Sequence, residues 1–355
     1  MPSTHTTLSG QESSGSIRSR SCPSCYLCGS RGEVLHENLE DRLFGAPGIW
    51  DLKRCPDRAC GLLWLDPMPL EEDIGEAYKN YYTHHENVVT SSTWLRRTYG
   101  AVKDGYVERK YGYFGNSNRS WKKLVGLLAY FDPVRRADFD LSVLCLRAKP
   151  NGHLLDVGCG SGAVLQSMQR LGWHVEGVDF DPKAVREAKS KGLIAHLGTL
   201  EEQDFPGDVL DAVTMRHVVE HVFDPLALLK ECHRILKPGG QLVVLTPNGN
   251  SWGHSLYGSH WRGLEPPRHL HIFNSASLST ACVRAGFNSV CCQSLSRDRG
   301  IFLASRSLRR TGRIDPRIGP TFALRLWAQA MGSAEYLRSQ VDHDAGEEVL
   351  MRGVK

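Results

Sequence analysis

A glycine-rich segment that follows a short apolar run carries the residue types most suited to ligand binding. Residues 153–162 read HLLDVGCGSG, and a helical pattern follows over about 163–171. Glycines in such a strand-to-helix turn accept positive φ angles and let a ligand lie directly on the backbone. We therefore expect a ligand-binding turn built on Gly158, Gly160 and Gly162.

Two carboxylates at the ends of neighbouring predicted strands narrow the choice of ligand. Asp156 precedes the first glycine, and Asp179 lies near the end of the next apolar run, 175–180. Asp156 would repel a pyrophosphate and suits a ligand with a positive amino group, whereas Asp179 is placed to reach ribose hydroxyls. The pair predicts a nucleoside ligand without phosphate and disfavours a dehydrogenase.

Four segments in order resemble the class I methyltransferases that depend on S-adenosyl-L-methionine: LLDVGCGSG at 154–162, VEGVDFDP at 175–182, LDAVTMRHVVEHVFDP at 210–225 and LKPGGQLVVLTPN at 236–248. The resemblance covers roughly 145–305 and implies this cofactor. It also implies that Gly158 and Gly160 pass beneath the methionine moiety, that Asp156 orients the loop and the amino group, and that Asp179 binds the ribose. The other cofactor-binding positions that it implies are Phe180, which would face the adenine ring, Thr199 and Leu200 at the adenine edge, and Arg216 and His217 on the cofactor floor.

The spacing of apolar residues predicts strands that alternate with helices, which favours a doubly wound, mostly parallel α/β sheet. The resemblance implies seven strands, one of them antiparallel near the end. The predicted elements are helices at 182–190, 225–235 and 277–285, strands at 193–197, 210–215 and 241–246, and two last strands at 288–294 and 300–305.

Five of the eleven cysteines lie in the first sixty residues, and four of them form two pairs, Cys25 with Cys28 and Cys55 with Cys60. Four thiolates at this spacing suit tetrahedral Zn²⁺, although Cys22 competes with Cys28 as the partner of Cys25. A closed four-ligand site leaves no position for a reacting group, so the zinc would be structural, in a small zinc-ribbon-like module.

The motifs and the resemblance imply a domain organisation, and the chain's apolar and charge patterns predict a compartment. We expect a disordered tail at 1–20, a zinc-binding module at 21–69, a helical connector or cap at 70–144, the methyltransferase domain at 145–305 and a loop and helix extension at 306–355. The first residues lack the apolar core of a secretory signal, and no stretch is long and apolar enough to insert into a membrane, so we expect a cytoplasmic protein. The formal net charge of +4 is spread along the chain, which makes nucleic acid an improbable partner.

Two histidine-rich segments are candidates for the acceptor site. The first runs from His217 to His221, and the second, 265–271, lies in an insertion, 251–273, that we interpret as a lid. Histidine exchanges a proton near neutral pH, so His221 and His269 are the candidate catalytic bases. Arg268 is a candidate for gripping an anionic acceptor.

The relatives implied by the resemblance act on small molecules such as sugars, quinones and secondary metabolites, at O, C or N atoms. One alternative is an RNA methyltransferase with a zinc module. The sequence after the fourth strand, Arg216-His217-Val218-Val219, differs from the Asn-Pro-Pro-Tyr type of many base-methylating enzymes. The other alternative is a cofactor-binding protein without catalysis, and the oligomeric state stays open.

Overall fold

A computed structural model describes residues 16–79, 93–114, 124–297, 299–314 and 320–355. The predicted tail up to residue 15 and two parts of the predicted connector, 80–92 and 115–123, lie outside the described residues.

The described residues contain thirteen strands: β1 (Ser19–Arg20), β2 (Glu33–Leu39), β3 (Trp50–Arg54), β4 (Leu63–Leu65), β5 (Met68–Pro69), β6 (His153–Val157), β7 (His174–Asp179), β8 (Ile194–Leu197), β9 (Leu210–Arg216), β10 (Leu236–Pro247), β11 (His271–Ile272), β12 (Asn288–Leu295) and β13 (Glu348–Val354). The α-helices are α1 (Thr93–Tyr111), α2 (Pro133–Leu141), α3 (Ala163–Arg170), α4 (Pro182–Ser190), α5 (Pro225–Ile235), α6 (Trp252–Tyr257), α7 (Ser275–Arg284), α8 (Arg299–Thr311) and α9 (Phe322–Ser339). Short 3₁₀ helices lie at Glu71–Tyr78, Gly126–Phe131, Glu201–Gln203 and Gly258–His260.

Seven strands form one sheet in the order β12-β13-β10-β9-β6-β7-β8. The pairs β9–β10, β6–β9, β6–β7 and β7–β8 are parallel, and β13 pairs antiparallel with both β10 and β12. The predicted doubly wound, mostly parallel sheet with one antiparallel strand is confirmed. Because β6 lies between β7 and β9, the strand order changes direction there, and ligands bind at such a point in open α/β sheets.

The prediction of a strand at 300–305 is wrong, because these residues lie in α8. Their buried positions Ile301, Phe302, Ser305 and Leu308 follow the period of a helix, which a short apolar run does not reveal. The seventh strand is β13, from the segment that we expected to be loop and helix. Most of its residues are buried on both faces of the sheet, so it lacks the alternation of a half-exposed strand.

A second sheet joins the cysteine-rich segment to the predicted lid. It has the order β11-β4-β3-β2, and its strands are antiparallel. β11 comes from the predicted lid and pairs with β4 of the cysteine-rich segment, His271 opposite Trp64 and Ile272 opposite Leu63. One continuous apolar core includes residues of both sheets, such as Trp64 and Val244. The cysteine-rich segment therefore packs on the larger sheet.

Three helices begin with the same Asp-Pro pair. Asp132, Asp181 and Asp224 each accept a hydrogen bond from a backbone N–H of the first turn, and a proline follows. The carboxylate satisfies an otherwise unpaired N–H, and proline has no N–H to leave unpaired at that position. These sequence signals explain why α4 and α5 begin where we predicted. Among the described helices, none is long and apolar enough to span a membrane.

Candidate active site

The carboxyl ends of β6, β7 and β9 meet at one edge of the large sheet and form a crevice. The predicted glycine turn follows β6, and Gly158, Gly160 and Gly162 all have positive φ angles, +71°, +53° and +81°. The amides of Gly158 and Cys159 donate to the carbonyl of Val178 at 2.8 and 3.1 Å, which ties the turn to β7. The turn is therefore a rigid backbone cradle.

Asp156 lies at the base of this cradle and is 2% exposed. The Thr214 hydroxyl of β9 donates to its Oδ1 at 2.6 Å. Burial raises the pKa of Asp156 to about 6, although the charge of Arg216 and the Thr214 hydroxyl act in the opposite direction. A cationic group placed beside this carboxylate would favour its ionised form.

Asp179, at the end of β7, joins the turn to the next helix. Its Oδ2 accepts a hydrogen bond from the Gly160 amide at 2.8 Å, and its Oδ1 accepts one from the Asp181 amide at 2.9 Å. The carboxylate is thus fixed at the crevice edge beside the glycine turn. Its assignment to the ribose hydroxyls stays a prediction.

The residues expected around the adenine ring differ in their accessibility. The Phe180 side chain is 59% exposed and packs edge-on against Tyr78, with 5.3 Å between the ring centroids. Thr199 is exposed, and its amide donates to Glu202 at 2.8 Å. The side chain of Leu200 is 1% exposed and belongs to the apolar core. A ligand could therefore contact Leu200 only through its backbone.

Arg216 ends β9, and His217 follows it. Arg216 is exposed, and His217 has a left-handed φ of 55°. The His217 ring lies between two buried carboxylates, with Nδ1 3.3 Å from Glu220 and Nε2 3.1 Å from Glu348. Desolvation disfavours the imidazolium, but these two hydrogen bonds outweigh it and raise the pKa of His217 to about 10. The ring keeps 45% of its surface open because it lines the crevice.

His221 lies one turn further on and has two polar partners at the same ring nitrogen. Its Nδ1 is 3.0 Å from the Arg268 carbonyl oxygen and 3.1 Å from the Tyr78 hydroxyl. A carbonyl oxygen only accepts, so Nδ1 carries a proton and Nε2 of the neutral ring keeps its lone pair. Nε2 is therefore the atom that could accept a proton.

His269, from the predicted lid, packs against His221 with 4.7 Å between the ring centroids. It is 5% exposed, and its Nδ1 donates to the Gly263 carbonyl at 2.8 Å. Burial lowers the pKa of His269 to about 4, so this ring is neutral at neutral pH. The structure thus brings together the two histidines that the sequence analysis chose as candidate bases.

The expectation that Arg268 grips an anionic acceptor is wrong. Its side chain is 0% exposed and is paired with Asp41 and Glu265. A guanidinium enclosed by two carboxylates has no face left for a third anion. The sequence could not reveal this pairing, because Asp41 lies more than two hundred residues earlier.

Among the described residues, two groups of side chains have the composition of metal ligands. The Sγ atoms of Cys25, Cys28, Cys55 and Cys60 lie within 4.8 Å of one another, with 3.7 Å between Cys25 and Cys60 and 3.3 Å between Cys28 and Cys55. Tetrahedral Zn²⁺ with Zn–S bonds of about 2.3 Å would separate sulfurs by about 3.8 Å, so the four cysteines fit that ion. Cys22 is outside the cluster, which favours Cys28 as the partner of Cys25.

The second group consists of Glu220, His221 and His269, each with one ligand atom within 4.8 Å of the other two. A carboxylate with two imidazoles could hold a divalent cation or move a proton. Burial opposes ionisation of Glu220, but the hydrogen bond and the charge of the His217 imidazolium lower the pKa of Glu220 to about 2. Glu220 is therefore a fixed negative charge beneath the histidines.

Sequence reasoning assigned no role to Tyr78 or Glu220. Tyr78 ends the 3₁₀ helix after the cysteine-rich segment, and its ring touches both Phe180 and His221. Its distance along the chain from the motifs gave no signal. Glu220 and His221, by contrast, lie within the segment 210–225 that resembles the family. A charged residue in an otherwise apolar stretch after β9 could have indicated a functional role for Glu220.

Comparison with known proteins agrees with this geometry. Residues 133–292 match a family model described as a methyltransferase domain. The matched residues include the glycine turn and the strands β6 to β11.

Among curated proteins, the chain is 35% identical over 142 residues to the ubiquinone biosynthesis O-methyltransferase of Cereibacter sphaeroides, covering 38% of this chain and 58% of that protein. It is 39% identical over 130 residues to the enzyme of the same name from Xanthomonas oryzae pv. oryzae, covering 34% and 54%. The chain thus spans little more than half the length of these relatives. Among solved structures, a methyltransferase from Thermotoga maritima, described as a possible histamine N-methyltransferase, is 22% identical with a TM-score of 0.41, covering 66% of this chain and 97% of that chain.

Proposed function

We propose that this protein transfers a methyl group from S-adenosyl-L-methionine to a small-molecule acceptor whose nucleophile must lose a proton. The observation that carries the proposal is the meeting, at one sheet edge, of a glycine cradle with two carboxylates and a histidine pair. The names of the curated relatives support a small-molecule acceptor and oxygen as the atom methylated.

The crevice fits the cofactor by its chemistry. The buried carboxylate of Asp156 suits a positive amino group, Asp179 suits the ribose hydroxyls, and the exposed ring of Phe180 suits an adenine face. Gly158, Gly160 and Gly162 leave the backbone bare for the methionine moiety. When bound, the cofactor supplies an electrophilic methyl group on a sulfonium centre.

The protein's own contribution to the transfer is alignment and proton removal. We assign His221 as the base because the Arg268 carbonyl holds its Nδ1–H and leaves Nε2 able to accept the proton. The ionised Glu220 stabilises the imidazolium that forms. His269 closes the other side of His221, and because it stays neutral it does not repel that imidazolium.

We further propose that Cys25, Cys28, Cys55 and Cys60 hold one structural Zn²⁺. All four tetrahedral positions are then protein sulfurs, so the ion takes no part in the chemistry. Thiolate ligands persist in reducing compartments, which supports a cytoplasmic location.

Transfer of a labelled methyl group tests the proposed reaction. Purified protein is incubated with methyl-labelled cofactor and three acceptor sets: 3,4-dihydroxybenzoate, the small-molecule fraction of a bacterial extract, and its RNA fraction. We expect label in a small molecule. Label confined to RNA would select the RNA methyltransferase alternative, and label in no set would contradict the proposal.

The variant His221→Asn tests the assigned base. We expect it to lower kcat by about 10²- to 10⁴-fold, the usual contribution of a general base, with cofactor binding retained. His174→Asn is the matched control, because His174 stands at the amino end of β7, at the opposite edge of the sheet, against His153. Equal kcat values in the two variants would remove the assignment.

A further inference from the structure

The carboxylate of Asp41, outside the crevice, accepts hydrogen bonds at both of its oxygens. Asp41 follows β2 in the cysteine-rich segment, and its side chain is 0% exposed. Its Oδ1 accepts from the amides of Leu43 and Phe44 at 3.0 and 3.1 Å, and its Oδ2 accepts from the Ala46 amide at 2.8 Å. The turn 41–46 thus holds the carboxylate in one orientation.

This carboxylate receives both ends of the Arg268 guanidinium. Nη1 donates to Oδ2 at 2.7 Å and Nη2 donates to Oδ1 at 2.9 Å, which is the paired geometry that only arginine forms. The Arg268 Nε donates to Glu265 at 3.0 Å, and the ring of Phe44 lies 4.6 Å from the guanidinium carbon. Arg268 therefore has one possible position.

Arg268 controls both polar partners of the His221 Nδ1. Its own carbonyl is one of them, at 3.0 Å. Its Nη1 also donates to the Ala77 carbonyl at 3.0 Å. The next residue is Tyr78, whose hydroxyl is the other partner of the His221 Nδ1, at 3.1 Å. The Arg268 backbone and the segment that ends at Tyr78 thus meet at the His221 Nδ1. The Arg268 guanidinium holds that segment in place.

We propose that Asp41 is a positioning residue for the acceptor half of the site, acting through Arg268 to fix the orientation and tautomer of His221. The inference rests on the proposed function, because it concerns the base of that reaction. The cysteine-rich segment would thereby complete the acceptor site without touching the acceptor.

Stability alone does not account for this arrangement. A buried ion pair is often no more stabilising than well-packed apolar residues of the same volume, because both charges must be desolvated. An apolar pair at Asp41 and Arg268 could fill the space, but it could not hold the Ala77 carbonyl. The hydrogen bond that would be lost is the one from the guanidinium to that carbonyl, which holds the residue before Tyr78.

The test uses ¹⁵N NMR to measure the tautomer of the His221 ring directly. In ¹⁵N-histidine-labelled full-length protein, the His221 signals are assigned by their loss in His221→Asn. We expect wild type to show the single tautomer protonated at Nδ1. In Asp41→Asn, we expect a mixture of tautomers, a kcat lower by about 100-fold on the acceptor found above, and a cofactor dissociation constant within about twofold of wild type.

Two further variants make the result decisive. Arg268→Lys keeps the charge but loses the fork, and should reproduce the effects of Asp41→Asn. Asp66→Asn is the matched control, because Asp66 also lies in the cysteine-rich segment and pairs with Lys53, away from His221. We expect its His221 signals and kcat to match wild type.

Folded Asp41→Asn protein with unchanged His221 signals would overturn the proposal, whether or not methylation had been found. Loss of the fold in both Asp41→Asn and Arg268→Lys would assign the pair to stability and would equally overturn it. Changed His221 signals in a protein that methylates no acceptor would leave the positioning intact and contradict only the proposed reaction.

Discussion

His217 shows how a single side chain can serve the crevice and the fold together. It follows β9 with a left-handed backbone angle, and its ring connects Glu220 and Glu348. Glu220 lies just after β9 and Glu348 begins β13. The imidazolium therefore connects two segments that are far apart in sequence. The charge of this ring should therefore appear in the pH dependence of stability.

We predict that the contribution of His217 to stability is greatest in mildly acidic solution. Its pKa in the folded protein, about 10, lies above the unfolded value near 6.5. Such a group contributes fully below the unfolded pKa and progressively less as the pH rises through the folded pKa. Urea unfolding of wild type and His217→Gln at pH 6 and pH 9 measures this, and the stability difference should be larger at pH 6. A difference that grows toward pH 9 would contradict it.

At the scale of elements, the turn between β6 and α3 depends on the absence of side chains. A Cβ on Gly158 would lie 2.3 Å from Cγ2 of Val218, and a Cβ on Gly177 would lie 2.5 Å from the Cys159 sulfur. The turn therefore packs directly on both neighbours at the ends of β7 and β9. Its shape is fixed before any ligand binds, which lowers the ordering cost of binding.

We predict that Gly158→Ala loses cofactor affinity, whereas Gly172→Ala keeps it. Both glycines have positive φ, +71° and +92°, so each alanine introduces backbone strain of about 1–2 kcal/mol. Only at Gly158 does the new methyl group also collide with a neighbour, the side chain of Val218, since nothing lies within 4 Å of a Cβ on Gly172. Calorimetric titration with the cofactor should show more than about tenfold weaker binding for Gly158→Ala alone. Equal affinities would show that the turn does not bind the cofactor.

At the scale of the whole molecule, the cysteine cluster is attached to the larger sheet by polar contacts as well as by the shared core. The Tyr26 hydroxyl donates to Asp224, the cap of α5, and accepts from the Leu226 amide at 3.1 Å. Arg284 of α7 donates to the Leu27 carbonyl. The loop that bears Cys25 and Cys28 is thus fastened to two helices of the methyltransferase domain.

We predict about one Zn²⁺ per chain, bound by the four clustered cysteines. Cys25→Ser and Cys55→Ser should each lose the metal and lower the melting temperature, because the ion joins the two cysteine loops. Elemental analysis by mass spectrometry measures the metal, and Cys291→Ser is the control, since Cys291 is exposed on β12 outside the cluster. Full metal content in both ligand variants would refute the assignment.

The sequence predicted what is local and missed what is made by distant contacts. Asp-Pro pairs, the glycine turn and the apolar periods located α4, α5 and β6 to β9 closely, because each depends on neighbours in the chain. β10 begins at Leu236, five residues before the predicted strand at 241–246. Arg268 is buried because it pairs with Asp41, and Tyr78 belongs to the site because it contacts His221. Both contacts join residues far apart in sequence, so no local pattern predicted them. The strand β13 was missed because burial on both sides removes the alternation by which strands are recognised.

The pairing of β11 with β4 has a consequence for how the chain acquires its structure during synthesis. Three strands of the smaller sheet, β2, β3 and β4, leave the ribosome early. The strand that pairs with β4, β11, follows about two hundred residues later. Until then the edge of β4 is open to other chains, and such edges are sites of aggregation. For the same reason, the cysteine-rich segment transferred to another enzyme would lack β11 and would expose the unpaired edge of β4.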